Sequence, residues 1–118
     1  MFGIVPRPVH AVLDYLYAAA ALAAPKVGGF EDDKAARLVC TAHGVATLGA
    51  SLFTNYELGA VRKIPFKTHL MLDLGGAVFG LAAPWLFGFA KNNRARNIIL
   101  GFALFELVAV AMSRRDDA

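Results

Sequence analysis

Four long apolar stretches alternate with short polar segments along this chain of 118 residues. The stretches cover about residues 9–27, 35–56, 66–90 and 95–112. Each is about 18 to 25 residues long, and a helix that rises 1.5 Å per residue needs about 20 residues to cross a hydrocarbon core of about 30 Å. The pattern predicts an all-α fold, a bundle of four transmembrane helices.

The polar segments between the stretches predict tight turns. Pro25 and Pro84 lie near the ends of the first and third stretches and are expected to terminate those helices. The connections 26–34 and 91–94 are short, so each pair of helices should form an antiparallel hairpin. N-terminal caps for the second and fourth helices are available at Asp32, Asp33, Asn92 and Asn93.

The second half of the chain repeats residues of the first half in the same order, 59 positions later. The series His10, Leu13, Asp14, Pro25, Gly29 and Phe30 recurs as His69, Leu72, Asp73, Pro84, Gly88 and Phe89. The register holds without a gap, which predicts one membrane domain, 1–118, built from two tandem repeats at about 5–57 and 64–116. A hairpin returns the chain to its starting side, so the repeats should be parallel and both termini should share one side.

The amino-acid composition indicates the environment in which the protein folds. Hydrophobic residues make up 58% of the chain and the mean hydropathy is +0.53, which is typical of a membrane protein. The net charge of +3 comes from basic residues that flank the apolar stretches, so lipid headgroups rather than nucleic acid are the expected partner. The pairs Arg62/Lys63 and Arg114/Arg115 favour a cytoplasmic location for both termini.

The end of the third stretch carries a motif, formed by Ala83, Pro84, Trp85, Gly88 and Phe89. It resembles the motif of the SPW-repeat family, small bacterial integral membrane proteins built from a two-span repeat. Asp14 and Asp73 match the acidic position early in each first helix of that family, whereas Ala83 replaces the serine of the motif. The resemblance implies a multi-pass protein of the bacterial inner membrane, with no established activity.

Ionisable and hydroxyl residues inside the apolar stretches are expected to form one polar layer, made of His10, Asp14, His69, Asp73, Glu106, Thr47 and Ser51. Each of these two histidines precedes its aspartate by four residues, a spacing that places both side chains on one helix face. Charged groups are costly in hydrocarbon, so the layer should face the bundle interior. His43 should lie about one turn deeper.

Three roles are open to this layer. It can be structural, orienting the two hairpins, which is the preferred interpretation and implies a structural or accessory protein. It can instead form a proton or ion pathway, because intramembrane acids and histidines often mark such routes. A metal or haem site is the third alternative, but the di-iron pattern places a glutamate three residues before a histidine and is missing here. The sequence therefore predicts no metal, no cofactor and no enzymatic activity.

Small residues suggest close helix packing. Gly76 and Gly80 are one turn apart on the predicted third helix, and such spacing lets helices approach closely. Packing within the four-helix unit is the simpler interpretation. The alternative is contact with a second copy of the chain or with a larger membrane complex.

Overall fold

The computed structural model describes residues 5–54, 59–61 and 63–113, and it confirms the predicted all-α fold with four helices. The helices are α1 (Arg7–Val27), α2 (Lys34–Phe53), α3 (Phe66–Leu86) and α4 (Asn93–Met112). They pack into an elongated bundle of 44 × 26 × 20 Å, in which α1 packs mainly on α2 and α3 mainly on α4.

Three of the four described helices, α2, α3 and α4, are long and apolar enough to cross a membrane. Helix α1 has a similar length of 21 residues but is less apolar, because it carries His10, Asp14, two tyrosines and Lys26. Large apolar side chains lie on the outside of the bundle. Leu16, for example, is 62% exposed and Met71 is 69% exposed.

The two hairpin turns are capped and joined to each other. The side chain of Asp33 accepts a hydrogen bond from the amide of Ala36 at the start of α2, and Asn92 caps α4 in the same way through Ala95. The Asn92 amide also donates to the Asp33 carboxylate at 2.9 Å. The two hairpins are therefore linked at the end of the bundle where their turns lie.

The expectation that Pro25 and Pro84 terminate their helices is wrong, because α1 continues to Val27 and α3 to Leu86. The carbonyl of each proline is used in a C-terminal cap. The amides of Phe30 and Phe89, five residues on, donate to the carbonyls of Pro25 and Pro84 at 2.9 Å.

Each of these caps contains a glycine whose backbone adopts the conformation that the cap requires. Gly29 and Gly88 have φ values of 74° and 76°, the left-handed conformation that a Schellman cap requires and glycine adopts without strain. Phe30 and Phe89, the residues after them, are buried in the apolar core at this end of the bundle. The recurrent Pro-x-x-x-Gly-Phe sequence thus ends each helix two residues after its proline.

At the opposite end of the bundle, each first helix is preceded by a residue that pairs with the end of another helix. Val5 forms a parallel bridge with Ser113, directly after α4, and Ile64 forms one with Thr54, directly after α2. The chain entering α1 is thereby held against the end of α4, and the chain entering α3 against the end of α2. Of the basic residues behind the predicted orientation, Arg62, Arg114 and Arg115 lie outside the described residues.

Candidate functional site

Two histidines and two aspartates meet between α1 and α3, and we refer to His10, Asp14, His69 and Asp73 as the His/Asp ring. His10 Nε2 lies 3.2 Å from Asp14 Oδ1 and 3.2 Å from Asp73 Oδ2. His69 Nε2 lies 2.8 Å from Asp14 Oδ2 and 3.2 Å from Asp73 Oδ2. Each imidazole therefore contacts the carboxylate of its own helix and that of the other hairpin.

The His/Asp ring is shielded from solvent. His10 and His69 are 1% and 0% exposed, and Asp14 and Asp73 are 8% and 7% exposed. Phe66 covers both imidazoles, with an edge-on contact to His10 and a stacked contact to His69. Burial of charged groups is costly unless they are paired, so the four side chains depend on one another.

The other nitrogen of each imidazole, Nδ1, is hydrogen-bonded to a hydroxyl group. His10 Nδ1 lies 2.6 Å from Ser113 Oγ, and His69 Nδ1 lies 2.6 Å from Thr54 Oγ1. Each hydroxyl donates its single hydrogen to the backbone carbonyl four residues earlier, Ala109 or Ala50. It must therefore accept from the imidazole, which places a hydrogen on Nδ1 and turns Nε2 towards the carboxylates.

Sequence reasoning missed these two hydroxyls, although a signal was present. Thr54 and Ser113 are themselves 59 positions apart, so the repeat spacing that relates the two histidines also relates their hydrogen-bond partners. The parallel bridges to Val5 and Ile64 bring them to the imidazoles. Because both residues lie just beyond the end of a helix, the periodicity of apolar residues within the helices does not predict these contacts.

Glu106 belongs to a second group of polar side chains, deeper in the bundle, which we call the Glu106 cluster. Glu106 Oε1 lies 3.3 Å from His43 Nε2, and the Tyr17 hydroxyl donates to the same oxygen at 3.4 Å. Gly76 lies beside this contact, since a Cβ atom there would lie at van der Waals distance, 3.4 Å, from both Glu106 Oε2 and His43 Nε2. The predicted single layer is thus arranged as two adjacent groups.

A groove of about 540 Å³ runs between α2 and α3 beside both groups. Asp73 from the ring and Glu106 and His43 from the cluster line it, together with Thr47. Small residues form much of its remaining wall, including Ala46 and Gly75 of the two facing helices. The two carboxylates therefore make part of the groove wall polar on this side of the bundle.

The remaining predicted residues are placed as follows. Ser51 is fully buried, and its hydroxyl has no hydrogen-bond partner among the described residues. Gly80 packs on α4, where a Cβ atom would lie 3.0 Å from the Cβ of Ala103. At the end of α3 Ala83, Pro84 and Phe89 are buried, whereas Trp85 is 61% exposed on the outer surface.

Chemically, the His/Asp ring offers imidazole nitrogens and carboxylate oxygens at one point, groups that transfer protons or bind cations. A search of family models, of curated proteins and of solved structures finds no match to this chain.

Proposed function

We propose that this chain is a small integral membrane protein of the SPW-repeat type, located in a bacterial inner membrane, with a structural or accessory role. The observation that carries the proposal is the distribution of polarity. Leu16, Met71 and Leu86 are more than 60% exposed, whereas Asp14 and Asp73 are buried. A bundle with apolar side chains outside and charged side chains inside is suited to a lipid environment.

Matching contacts in the two hairpins support an origin from two tandem copies of one unit. The imidazole–hydroxyl pair of His10 and Ser113 has its counterpart, 59 positions away, in His69 and Thr54. The Schellman caps, the N-terminal caps and the two parallel bridges are paired in the same way. Two parallel hairpins would place both termini on one side of the membrane.

The structural role rests on how the His/Asp ring is connected. Asp14 of the first hairpin contacts His69 of the second, and Asp73 of the second contacts His10 of the first. Polar contacts between helices stabilise bundles inside membranes, where no hydrophobic effect drives helix association. The ring would therefore fix the orientation of the two hairpins.

Site-directed labelling tests the four-span arrangement, including α1. Cys40 is the only cysteine, so a Cys40→Ala chain can carry single substitutions Arg7→Cys, Lys26→Cys, Lys63→Cys or Lys91→Cys. With an impermeant thiol reagent on oriented vesicles, we expect positions 7 and 63 to react from one side and 26 and 91 from the other. Reaction of positions 7 and 63 from opposite sides would contradict a membrane-spanning α1. Extraction of the protein without detergent would contradict the membrane proposal as a whole.

A proton or ion pathway is the second candidate function, favoured by the groove between α2 and α3. Asp73, Glu106 and His43 line this groove, so both polar groups reach its surface. The purified chain in liposomes decides between the two roles. Flux above that of empty liposomes, lost in Asp73→Asn and Glu106→Gln, would establish the pathway, whereas a structural role predicts the flux of empty liposomes at every pH and for every ion tested.

A further inference from the structure

We propose that the His/Asp ring binds one divalent transition-metal ion of the zinc class, through Nε2 of His10 and His69 and one carboxylate oxygen each from Asp14 and Asp73. The proposal concerns the chemistry of the ring itself, and it does not depend on whether the protein is structural or conducts ions.

Four possible ligand atoms converge in the His/Asp ring. One ligand atom from each of the four side chains lies within 4.8 Å of all the others. The nitrogen–oxygen distances are 2.8 to 3.2 Å, and the edge of a tetrahedron with metal–ligand bonds of about 2.0–2.1 Å is about 3.3–3.4 Å. The widest pairs of ligand atoms, which lie up to 4.8 Å apart, would have to draw together on binding to form a tetrahedral site.

The hydroxyl contacts of the two imidazoles independently indicate a metal site. A metal-binding histidine donates its second ring N–H to a neighbouring acceptor, which fixes the ring and directs the free nitrogen at the metal. Ser113 and Thr54 are such acceptors, since both hydroxyls give their own hydrogen to a backbone carbonyl. Both imidazoles are thus held with Nε2 at the centre of the ring.

Charge also favours a divalent ion. With both Nε2 atoms free to bind the metal, the two imidazoles are neutral, and the two carboxylates carry a charge of −2 that one divalent cation neutralises. A neutral site suits a buried position, because an unbalanced charge in a medium of low polarity is costly. Histidine and aspartate are ligands that zinc accepts in tetrahedral sites.

The di-iron pattern, in which a glutamate precedes a histidine by three residues, is one way to place metal ligands on helices. The ligands of the His/Asp ring follow a different spacing. Each helix supplies a histidine and, four residues later, an aspartate, and two helices from different hairpins complete the set. Only the crossing of α1 and α3 brings the four together.

Metal binding to the full chain in detergent is the direct test. The protein is stripped with a chelator and titrated with Zn²⁺ against a chromophoric competitor, and Co²⁺ is then added as a spectroscopic probe. We expect one ion per chain and the intense visible absorption of tetrahedral Co²⁺. Absence of saturable binding at one equivalent in the folded wild-type chain would overturn the proposal.

Variants locate the ion. His10→Gln and Asp14→Asn should each weaken Zn²⁺ binding at least 100-fold, while His43→Gln and Glu106→Gln in the neighbouring cluster should leave it within twofold. Circular dichroism and size-exclusion chromatography establish that each variant is folded. Should the His43→Gln variant lose the ion instead, the site would lie in the Glu106 cluster and not in the ring.

The hydroxyl contact offers a finer test. Thr54→Ala should weaken Zn²⁺ binding about 10- to 100-fold, as loss of an outer hydrogen bond to a ligand does, and Thr54→Ser should retain wild-type binding. Ser51→Ala is the matched control, because Ser51 is also fully buried near the end of α2 but its hydroxyl forms no hydrogen bond with either imidazole. Equal binding by Thr54→Ala and wild type would contradict the positioning role of this hydroxyl.

Discussion

The His/Asp ring and the Glu106 cluster lie side by side in the bundle, but they differ in whether the two hairpins contribute equivalent residues. The imidazole–carboxylate and imidazole–hydroxyl contacts of the ring each have a counterpart 59 positions away. The cluster has none. The positions related to Glu106, His43 and Tyr17 by the same spacing are occupied by Thr47, Phe102 and Gly76.

The surfaces beside the two groups show the same difference. The groove between α2 and α3 is lined by Asp73, His43 and Glu106, whereas the corresponding groove between α1 and α4 is lined by apolar residues such as Leu13 and Phe105. Both have a volume of about 540 Å³. Both groups therefore connect the hairpins, but the unmatched contacts make one groove polar and leave the other apolar.

Removal of one ring aspartate should have the largest effect on stability. Asp14→Ala and Asp73→Ala each leave two buried imidazoles facing a single carboxylate, which we expect to lower the free energy of unfolding by about 3 kcal/mol. Because the two positions are equivalent in the ring, the two losses should agree within about 1 kcal/mol. Denaturant titration in detergent micelles, monitored by circular dichroism, measures both.

The control for this pair is Asp32→Ala, since Asp32 is exposed in the first hairpin turn and should leave stability within about 0.5 kcal/mol of wild type. Clearly unequal losses for Asp14→Ala and Asp73→Ala would show that the ring does not use the two hairpins equally.

Truncation in the Glu106 cluster should have a smaller effect. Glu106→Leu removes the acceptor that His43 and Tyr17 share, and we expect a loss of about 2 kcal/mol in the free energy of unfolding. The loss should be smaller than in the ring, because His43 lines the open groove and retains access to other polar partners.

Thr47→Val at the corresponding position of α2 is the matched comparison, and it should cost less than 1 kcal/mol, because the substitution keeps the shape of a side chain that belongs to neither group. A Glu106→Leu variant as unstable as Asp73→Ala would remove the distinction between the two groups.

The sequence predicted those features of the fold that depend on local spacing. The lengths of the apolar stretches give four helices with ends within a few residues of those observed, because each helix needs a long apolar surface. The four-residue spacing of His10 and Asp14 also places both side chains on one face, since helical geometry is local. Pro25 was misjudged, because its carbonyl accepts the capping hydrogen bond of Phe30, a backbone contact that composition does not reveal.

The site itself could be predicted only in part. The crossed contact of Asp14 with His69 depends on how α1 and α3 approach, and no periodicity within one helix contains that information. The division of the predicted polar layer into the His/Asp ring and the Glu106 cluster also depends on how the helices pack against one another. Glu106 pairs with His43 and Tyr17, which come from two other helices, and Gly76 of α3 lies beside them.

The smallest expected effect on stability concerns the two hairpin turns. There the equivalent positions of the two repeats both cap a helix, but one is an acid and the other an amide. Asp33 and Asn92 are both N-terminal caps and are 59 residues apart, and the Asn92 amide donates to the Asp33 carboxylate at 2.9 Å. Asn92→Asp keeps a good capping residue but sets two carboxylates against each other. At a partly exposed site this repulsion is worth about 1 kcal/mol.

The exchanged variant separates charge repulsion from a defect in the caps. Asp33→Asn combined with Asn92→Asp restores one amide and one carboxylate, so its free energy of unfolding should return to within about 0.5 kcal/mol of wild type. Added salt should also relieve part of the loss in the single variant, since exposed charges are screened. If the exchanged variant is as unstable as Asn92→Asp, the contact between the turns depends on which hairpin carries the acid, and the two hairpins are not equivalent there.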